Sequence, residues 1–295
     1  MITKLSEVWP ALEQVALSEG VLRFGAASLS DAHASLFASW IERGHHATMS
    51  YLARNLPTRL DPSSRFPWAL SAVVILVPYS ADRPPAPPGA LSHHVARYAL
   101  GDDYHQVLDR ILRAFESALP PEVRTWRYVD TGPLSDRALA ANAGLGWIAK
   151  NGMLISEEDG SYTFIGALLT SLESDIHAEL AADRCGTCTR CLDACPTAAI
   201  LPDRTLDSAR CISYATIEHR GPLEVAPHGH VFGCDICQEV CPWNHPPAPP
   251  THPAFTPRPT YGATPVTDLL RLTQSDFSTL FRKSAIKRTK LAGLL

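Results

Sequence analysis

No stretch of the 295-residue chain reaches the roughly 18 consecutive apolar residues that a membrane-spanning helix requires, so no membrane partner is expected. The first twenty residues mix Lys4, Glu7 and Glu13 with apolar side chains, which describes an amphipathic helix rather than a cleavable leader. A cytoplasmic address is therefore expected. Neither sign of charge dominates: 26 basic against 30 acidic residues leave a net charge of −4, and no global field draws in nucleic acid, although a local basic patch stays open. No G-x-G-x-x-G follows a predicted strand, and the P-loop pattern is missing, so neither nucleotide fold is supported. No H-E-x-x-H pair occurs; His45-His46 and His93-His94 read as polar loop residues rather than ligands. There is no repeat of solenoid length.

What is present fits a globular protein, with 45 % hydrophobic and 19 % charged residues and enough length for one large domain or two ordinary ones. Residues 5–18 and 31–42 read as helices, and 71–79 (SAVVILVPY) as a buried strand. A proline-rich loop over 83–89 follows. Residues 103–119 place Val107, Leu108, Ile111, Leu112, Phe115 and Leu119 on one helical face, and Pro120-Pro121 ends it. A strand at 126–129, a helix from 135 to about 142 and a strand at 162–170 complete an alternation that predicts an α/β (α+β) domain over residues 1–175. Residues 176–245 then form a second, cysteine-bearing domain. The last part, 246–295, opens with seven prolines over 246–259, an extended linker or wrap-around arm, and closes with a helical stretch over 274–290.

Eight cysteines are unlikely candidates for disulfides in a reducing compartment and fit metal ligands better. They fall as Cys185-x-x-Cys188-x-x-Cys191-x-x-x-Cys195-Pro196 and Cys234-x-x-Cys237-x-x-x-Cys241-Pro242, with Cys211 between. A cubane needs four thiolates from several directions, and in two-cluster ferredoxins the cysteine before proline serves the other cluster. That assigns Cys185, Cys188, Cys191 and Cys241 to one [4Fe–4S] cluster and Cys195, Cys211, Cys234 and Cys237 to a second. Paired structural zinc sites usually show two separated C-x-x-C knuckles and fit this spacing poorly.

A bare ferredoxin needs only the cysteine window, so the larger part ahead of it should hold the electron acceptor. Its densest segment is 129–155, VDTGPLSDRALAANAGLGWIAKNGMLI. Gly144, Gly146 and Gly152 would let backbone lie close against a large flat ligand. Asp130 follows a strand, where α/β domains place ligand chemistry, though by position alone it is equally a turn or capping aspartate. Lys150, taken alone, reads as a solvated surface residue.

Several of these segments together resemble the epoxyqueuosine reductase family, nearly end to end. They are 130–155, Ala96-Arg97-Tyr98-Ala99, Asp103-Tyr104-His105, Met49-Ser50-Tyr51-Leu52, the cysteine pattern, Cys211-Ile212-Ser213-Tyr214, Thr216-Ile217-Glu218-His219-Arg220 and Ser284-Ala285-Ile286-Lys287-Arg288. The family is similar to reductive dehalogenases in joining a cobalamin domain to a two-cluster ferredoxin module. The resemblance implies that a cobalamin, fed by two [4Fe–4S] clusters and an external low-potential electron donor, reduces epoxyqueuosine to queuosine at the wobble position of tRNA. It implies Asp130 as proton donor, corrin contacts at Arg54, Asp130, Asn151, Leu154 and Ile165, and Tyr104 and Asp103 on the substrate side. An acid at Asp130 would need its pKa lifted towards neutral by apolar, desolvating neighbours. A monomer is expected. Family members commonly continue into a helical-repeat domain that helps grip tRNA, whereas this sequence stops at Leu295; residues 281–290, with five basic residues and no acid, offer phosphate contacts or simply a solvated face. The rival readings are a small-molecule reductive dehalogenase, usually an exported enzyme, and a non-catalytic ferredoxin-type electron carrier.

Overall fold

A computed structural model describes residues 2–29, 34–79 and 82–294. Its centre is a four-stranded sheet in the order β1-β2-β6-β3, from β1 (Arg23–Ala27), β2 (Ser71–Pro78), β3 (Thr125–Tyr128) and β6 (Thr163–Thr170). The short β4 (Trp147–Ile148) and β5 (Leu154–Ile155) pair separately as a hairpin. Every pairing in the main sheet is antiparallel, so the alternation of strands and helices gives an α+β domain rather than a parallel βαβ one. β1 is absent from the sequence reading because Arg23-Phe24-Gly25-Ala26-Ala27 has neither a β-branched run nor clear alternation.

All eight residues of β2 are buried because the sheet is covered on both faces. Val73, Ile75 and Val77 face a core built with α1 (Trp9–Ser18) and α5 (Tyr104–Ser117), which contributes Val107, Leu108, Ile111, Leu112 and Phe115. Ala72, Val74 and Leu76 face the other way, towards Leu139, Ala140 and Ala143 on and just after α6 (Asp136–Asn142). α5 packs closely at Gly166, where a Cβ would stand 3.2 Å from Ile75 and 3.3 Å from Leu112. Between β1 and β2 the described chain forms α2 (Ala34–Glu42), α3 (Ser50–Arg54) and α4 (Leu56–Leu60); residues 31–33 of the predicted second helix lie outside the described residues.

The cysteine module carries α7 (Arg190–Ala194), α8 (Ile212–Ile217) and α9 (Ile236–Glu239). It is fastened to the turn before β6 by a buried polar network. Asn244 Oδ1 accepts from the Ser161 amide at 2.7 Å, and the Ser161 hydroxyl donates to Gln238 Oε1 at 2.9 Å. The proline-rich stretch after it proves to be a packed arm: Thr251 Oγ1 donates to the Gly20 carbonyl, and Phe255 is buried in the α1/α5 core. Beyond it, α10 (Pro259–Ala263) and α11 (Gln274–Leu280) supply Tyr261 and Phe277 to a third core shared with Leu91, Val95, Ala99, Leu100 and Phe232. The helix predicted over 274–290 is broken at 281–284, where Lys283 adopts φ 55° and Ser284 caps a separate short 3-10 turn over 285–289. Among the described residues no helix is long and apolar enough to cross a membrane.

Candidate functional site

Asp103 caps α5, its Oδ1 accepting from the His105 amide at 3.2 Å. That cap turns the His105 ring into the site, where Nδ1 meets Asp103 Oδ1 at 2.8 Å and Nε2 meets Asp130 Oδ2 at 3.1 Å. Ionised carboxylates only accept, so an imidazole donating to both must carry two protons and a positive charge. Burial alone would lower the His105 pKa, but Asp103 and Asp130 outweigh it and hold it up at about 9. Tyr104 stacks on His105 with ring centroids 4.1 Å apart and on Phe164 at 4.6 Å, which fixes the ring's plane.

Asp130 lies two residues beyond β3 in a tight turn, at φ 51°. Burial pushes its carboxyl up, but the bond and charge of His105, the Arg288 guanidinium and the Tyr104 hydroxyl outweigh it, holding the group below the ordinary carboxylate range. The lifted acid expected from the sequence is therefore not at Asp130; the opposing cations decide the sign. The raised carboxyl in this region is that of Asp136, where burial prevails over the neighbouring Arg137. The Asp130 side chain is 41 % exposed and the Asp136 side chain 31 %, yet burial is the largest influence on both.

Arg288 reaches this site from the C-terminal segment, with Nη1 3.8 Å from Asp130 Oδ2 and Nη2 paired to Glu218. The Tyr51 hydroxyl, at the start of α3, bonds Arg288 as well. Sequence reasoning quotes Tyr51, His105 and Glu218 without giving them a role, and offers Arg288 only as one of the basic residues of 281–290. The signal was the recurrence of charged and phenolic residues in distant short motifs, legible only once the chain brings them together. Arg288 had been read with the basic face of 281–290; Arg282, Lys283, Lys287 and Lys290 do remain exposed there.

The cysteines gather in two fours. Cys185, Cys188, Cys191 and Cys241 line one cavity of about 60 Å³, together with Lys150 and Trp243. Cys234 has Cys195 and Cys211 as electrostatic neighbours, and Cys237 has Cys234, Cys211 and, from the first set, Cys191. None is disulfide-bonded. Among the described residues no three His, Cys, Asp or Glu side chains converge as a single metal ion requires. Sulfurs in fours around a wider space suit a cubane, whose irons lie between them, better than lone zinc. Lys150 is not a free surface residue: its Nζ donates to the carbonyls of Gly186 at 2.7 Å and Cys188 at 3.0 Å.

The candidate corrin residues are more scattered. Asn151 is buried and donates from Nδ2 to the Cys237 carbonyl at 3.4 Å, while Arg137 from α6 bonds the Gly152 carbonyl. These bonds tie α6 and the segment around Asn151 to the second cysteine set. Leu154 is buried on β5, Ile165 is partly buried on β6 opposite Leu76, and Arg54 is exposed at the end of α3. The glycines do not present bare backbone to a ligand. A Cβ at Gly144, Gly146 or Gly152 would stand 2.7, 2.2 or 2.6 Å from Glu179, Ile155 and Leu206, so protein packing requires them.

An eight-cysteine module, joined to a mixed α/β domain with an acid–imidazolium site, defines an iron–sulfur oxidoreductase. Residues 184–244 match the family model described as "4Fe-4S double cluster binding domain". Residues 59–131 match "Epoxyqueuosine reductase QueG, DUF1730". An epoxyqueuosine reductase of Synechocystis is 40 % identical over 280 residues, covering 90 % of this chain and 93 % of the relative. The structure is similar to a crystal structure of epoxyqueuosine reductase with an epoxyqueuosine-modified tRNA-Tyr stem loop (TM-score 0.86, 30 % identity, 98 % of this chain and 79 % of that one). It is also similar to a Bacillus subtilis epoxyqueuosine reductase whose aspartate-bearing catalytic loop is swung out of the active site (TM-score 0.84, 29 % identity, 98 % and 79 % covered). This chain belongs to the epoxyqueuosine reductase family.

Proposed function

We propose that the chain reduces the epoxide of epoxyqueuosine in tRNA to the alkene of queuosine, in the cytoplasm and as a monomer. Removing that oxygen takes two electrons and two protons and releases water. The observation that carries the reading is the Asp103–His105–Asp130 chain, a protonated imidazole between two carboxylates, with the Asp130 side chain open to solvent. At neutral pH His105 holds a proton and Asp130 does not. A substrate displacing the remaining water around Asp130 strengthens the desolvation that already pushes its carboxyl up, so the proton moves across the 3.1 Å contact and on to the departing oxygen. Asp130 remains the group that touches the oxygen, with His105 as its store.

Residues 1–175 would carry the substrate and cobalamin, 176–245 two [4Fe–4S] clusters, and 246–295 the closing arm. The corrin would lie beside Asp130, with Asn151 linking its site to the second cysteine set; Arg54, Leu154 and Ile165 are its further proposed contacts. When bound, cobalamin would supply a low-valent cobalt centre able to drive electrons into a strained C–O bond. An external low-potential donor would deliver electrons to the clusters, whose cysteines, apart from the buried Cys241, are all partly exposed. The exposed basic residues at 282, 283, 287 and 290 would meet tRNA phosphates.

The test is anaerobic reconstitution followed by assay on tRNA containing epoxyqueuosine. Queuosine should appear with wild type and not with Asp130→Asn, which should still load iron, sulfide and corrin. Equal turnover by Asp130→Asn would remove Asp130 from the chemistry, and a loaded wild type that leaves the epoxide intact would overturn the assignment.

A further inference from the structure

The turn that carries Asp130 is held from below by a buried cation with no visible catalytic use. Arg59, on α4, is only 8 % exposed. Among the described residues no carboxylate lies within ion-pairing distance of it. Its guanidinium instead donates to two backbone carbonyls of the turn, from Nη2 to Gly132 at 2.7 Å and from Nη1 to Leu134. The Tyr128 hydroxyl stands beside it, within donor distance of the carbonyls of Asp130 at 3.0 Å and Leu134 at 2.9 Å. Gly132 lies so close over the Tyr128 ring that a Cβ there would approach it to 2.8 Å.

We infer that Arg59 and Tyr128 form a clasp that holds the Asp130 turn in register with His105, which makes Arg59 a positioning residue for the proton-transfer chain. Two features of the turn call for such a clasp. Asp130 sits at φ 51°, a backbone region that non-glycine residues seldom occupy. The turn is also tight, with the Thr131 amide donating back to the Val129 carbonyl. A buried arginine spends its donors on whatever the fold offers, and here it bonds two carbonyls of one catalytic turn rather than a carboxylate. Released from the clasp, the turn would relax and carry the carboxylate away from His105 Nε2. The catalytic relevance rests on the function proposed above; the clasp itself does not.

The experiment uses full-length Arg59→Met, Arg59→Lys and Tyr128→Phe proteins. Hydrogen exchange of the Thr131, Gly132, Leu134 and Ser135 amides should rise at least about tenfold in Arg59→Met and Tyr128→Phe, since each loses a bond to the turn. By NMR, His105, near 9 in the intact protein, should titrate lower once Asp130 no longer faces it. In turnover, kcat should fall while KM for tRNA stays close to wild type, and Arg59→Lys, able to reach one carbonyl, should recover part of both signals. Should Arg59→Met fail to fold, Tyr128→Phe, which removes one oxygen and leaves the ring, decides alone. Wild-type exchange at those amides with unchanged His105 titration would overturn the clasp, whatever the activity. Altered exchange and titration in a wild type that never reduces epoxyqueuosine would leave the clasp standing and sink the function instead.

Discussion

Replacing His105 with Gln tests the proton store directly. The side chain can still reach a carboxylate but can no longer be charged, so both catalysis and stability should change in a pH-dependent way. His105 moves from an ordinary value of 6.5 to about 9 on folding. At about 1.4 kcal/mol per unit, that displacement corresponds to at most about 3 kcal/mol, reduced by the solvent that reaches the ring. Because the folded pKa is raised, the stabilisation is complete below 6.5 and is lost as pH rises through 9. Urea unfolding of wild type and His105→Gln should therefore show a gap of about 1–3 kcal/mol at pH 6 that closes by pH 10. In single-turnover assays with chemically reduced enzyme, wild type should lose rate as pH rises past 9. His105→Gln should be slower by about 10²–10⁴-fold, the usual range for general acid catalysis, with no such alkaline limb. A stability gap that is the same at pH 6 and pH 10 would refute the imidazolium. A normal rate in the variant would refute its part in proton delivery.

Cys237→Ser and Cys185→Ser should each lower iron and acid-labile sulfide by about half, one cubane of two; equal zinc in place of sulfide would refute the cluster assignment. Ile111→Ala should destabilise the α1/α5 core by about 2–5 kcal/mol without altering iron content, checked by urea melts and metal analysis. Arg288→Ala should cut turnover, as Arg288 stands 3.8 Å from Asp130, while the combined change of Lys283 and Lys287 to Ala should mainly weaken tRNA binding and flatten its salt dependence, as a filter-binding salt titration would show.

Cysteine spacing carried the most information. Two-residue gaps and the cysteines before Pro196 and Pro242 point to two fours, because few arrangements satisfy cubane geometry, and Cys185, Cys188, Cys191 and Cys241 line one cavity. The apolar run of β2 and the helical stripe of α5 were equally plain, since each encodes burial in its own period. Strand direction was not. Nothing local in residues 71–79 or 162–170 states that they run antiparallel, and β1, with Gly25 against the Ala143 carbonyl, lacks a strand's residue pattern. The charge state of the site was the least legible. Asp130 could be singled out, but the sign of its shift depends on His105, 25 positions earlier, and on Arg288, far later. The glycines of 144–152 misled because close approach was read as approach to a ligand, whereas the neighbours are Glu179, Ile155 and Leu206.

The C-terminal segment imposes an order of events on assembly. The Asp103 amide donates to the Lys283 carbonyl at 2.8 Å, Arg258 links that carbonyl to Asp102, and Arg288 closes on Asp130. On the ribosome, the sheet and its carboxylates emerge long before their guanidinium counterpart. Until the residues around Arg288 are released, the nascent pocket is a nest of acids facing a lone imidazole, ready to fold but not ready to work.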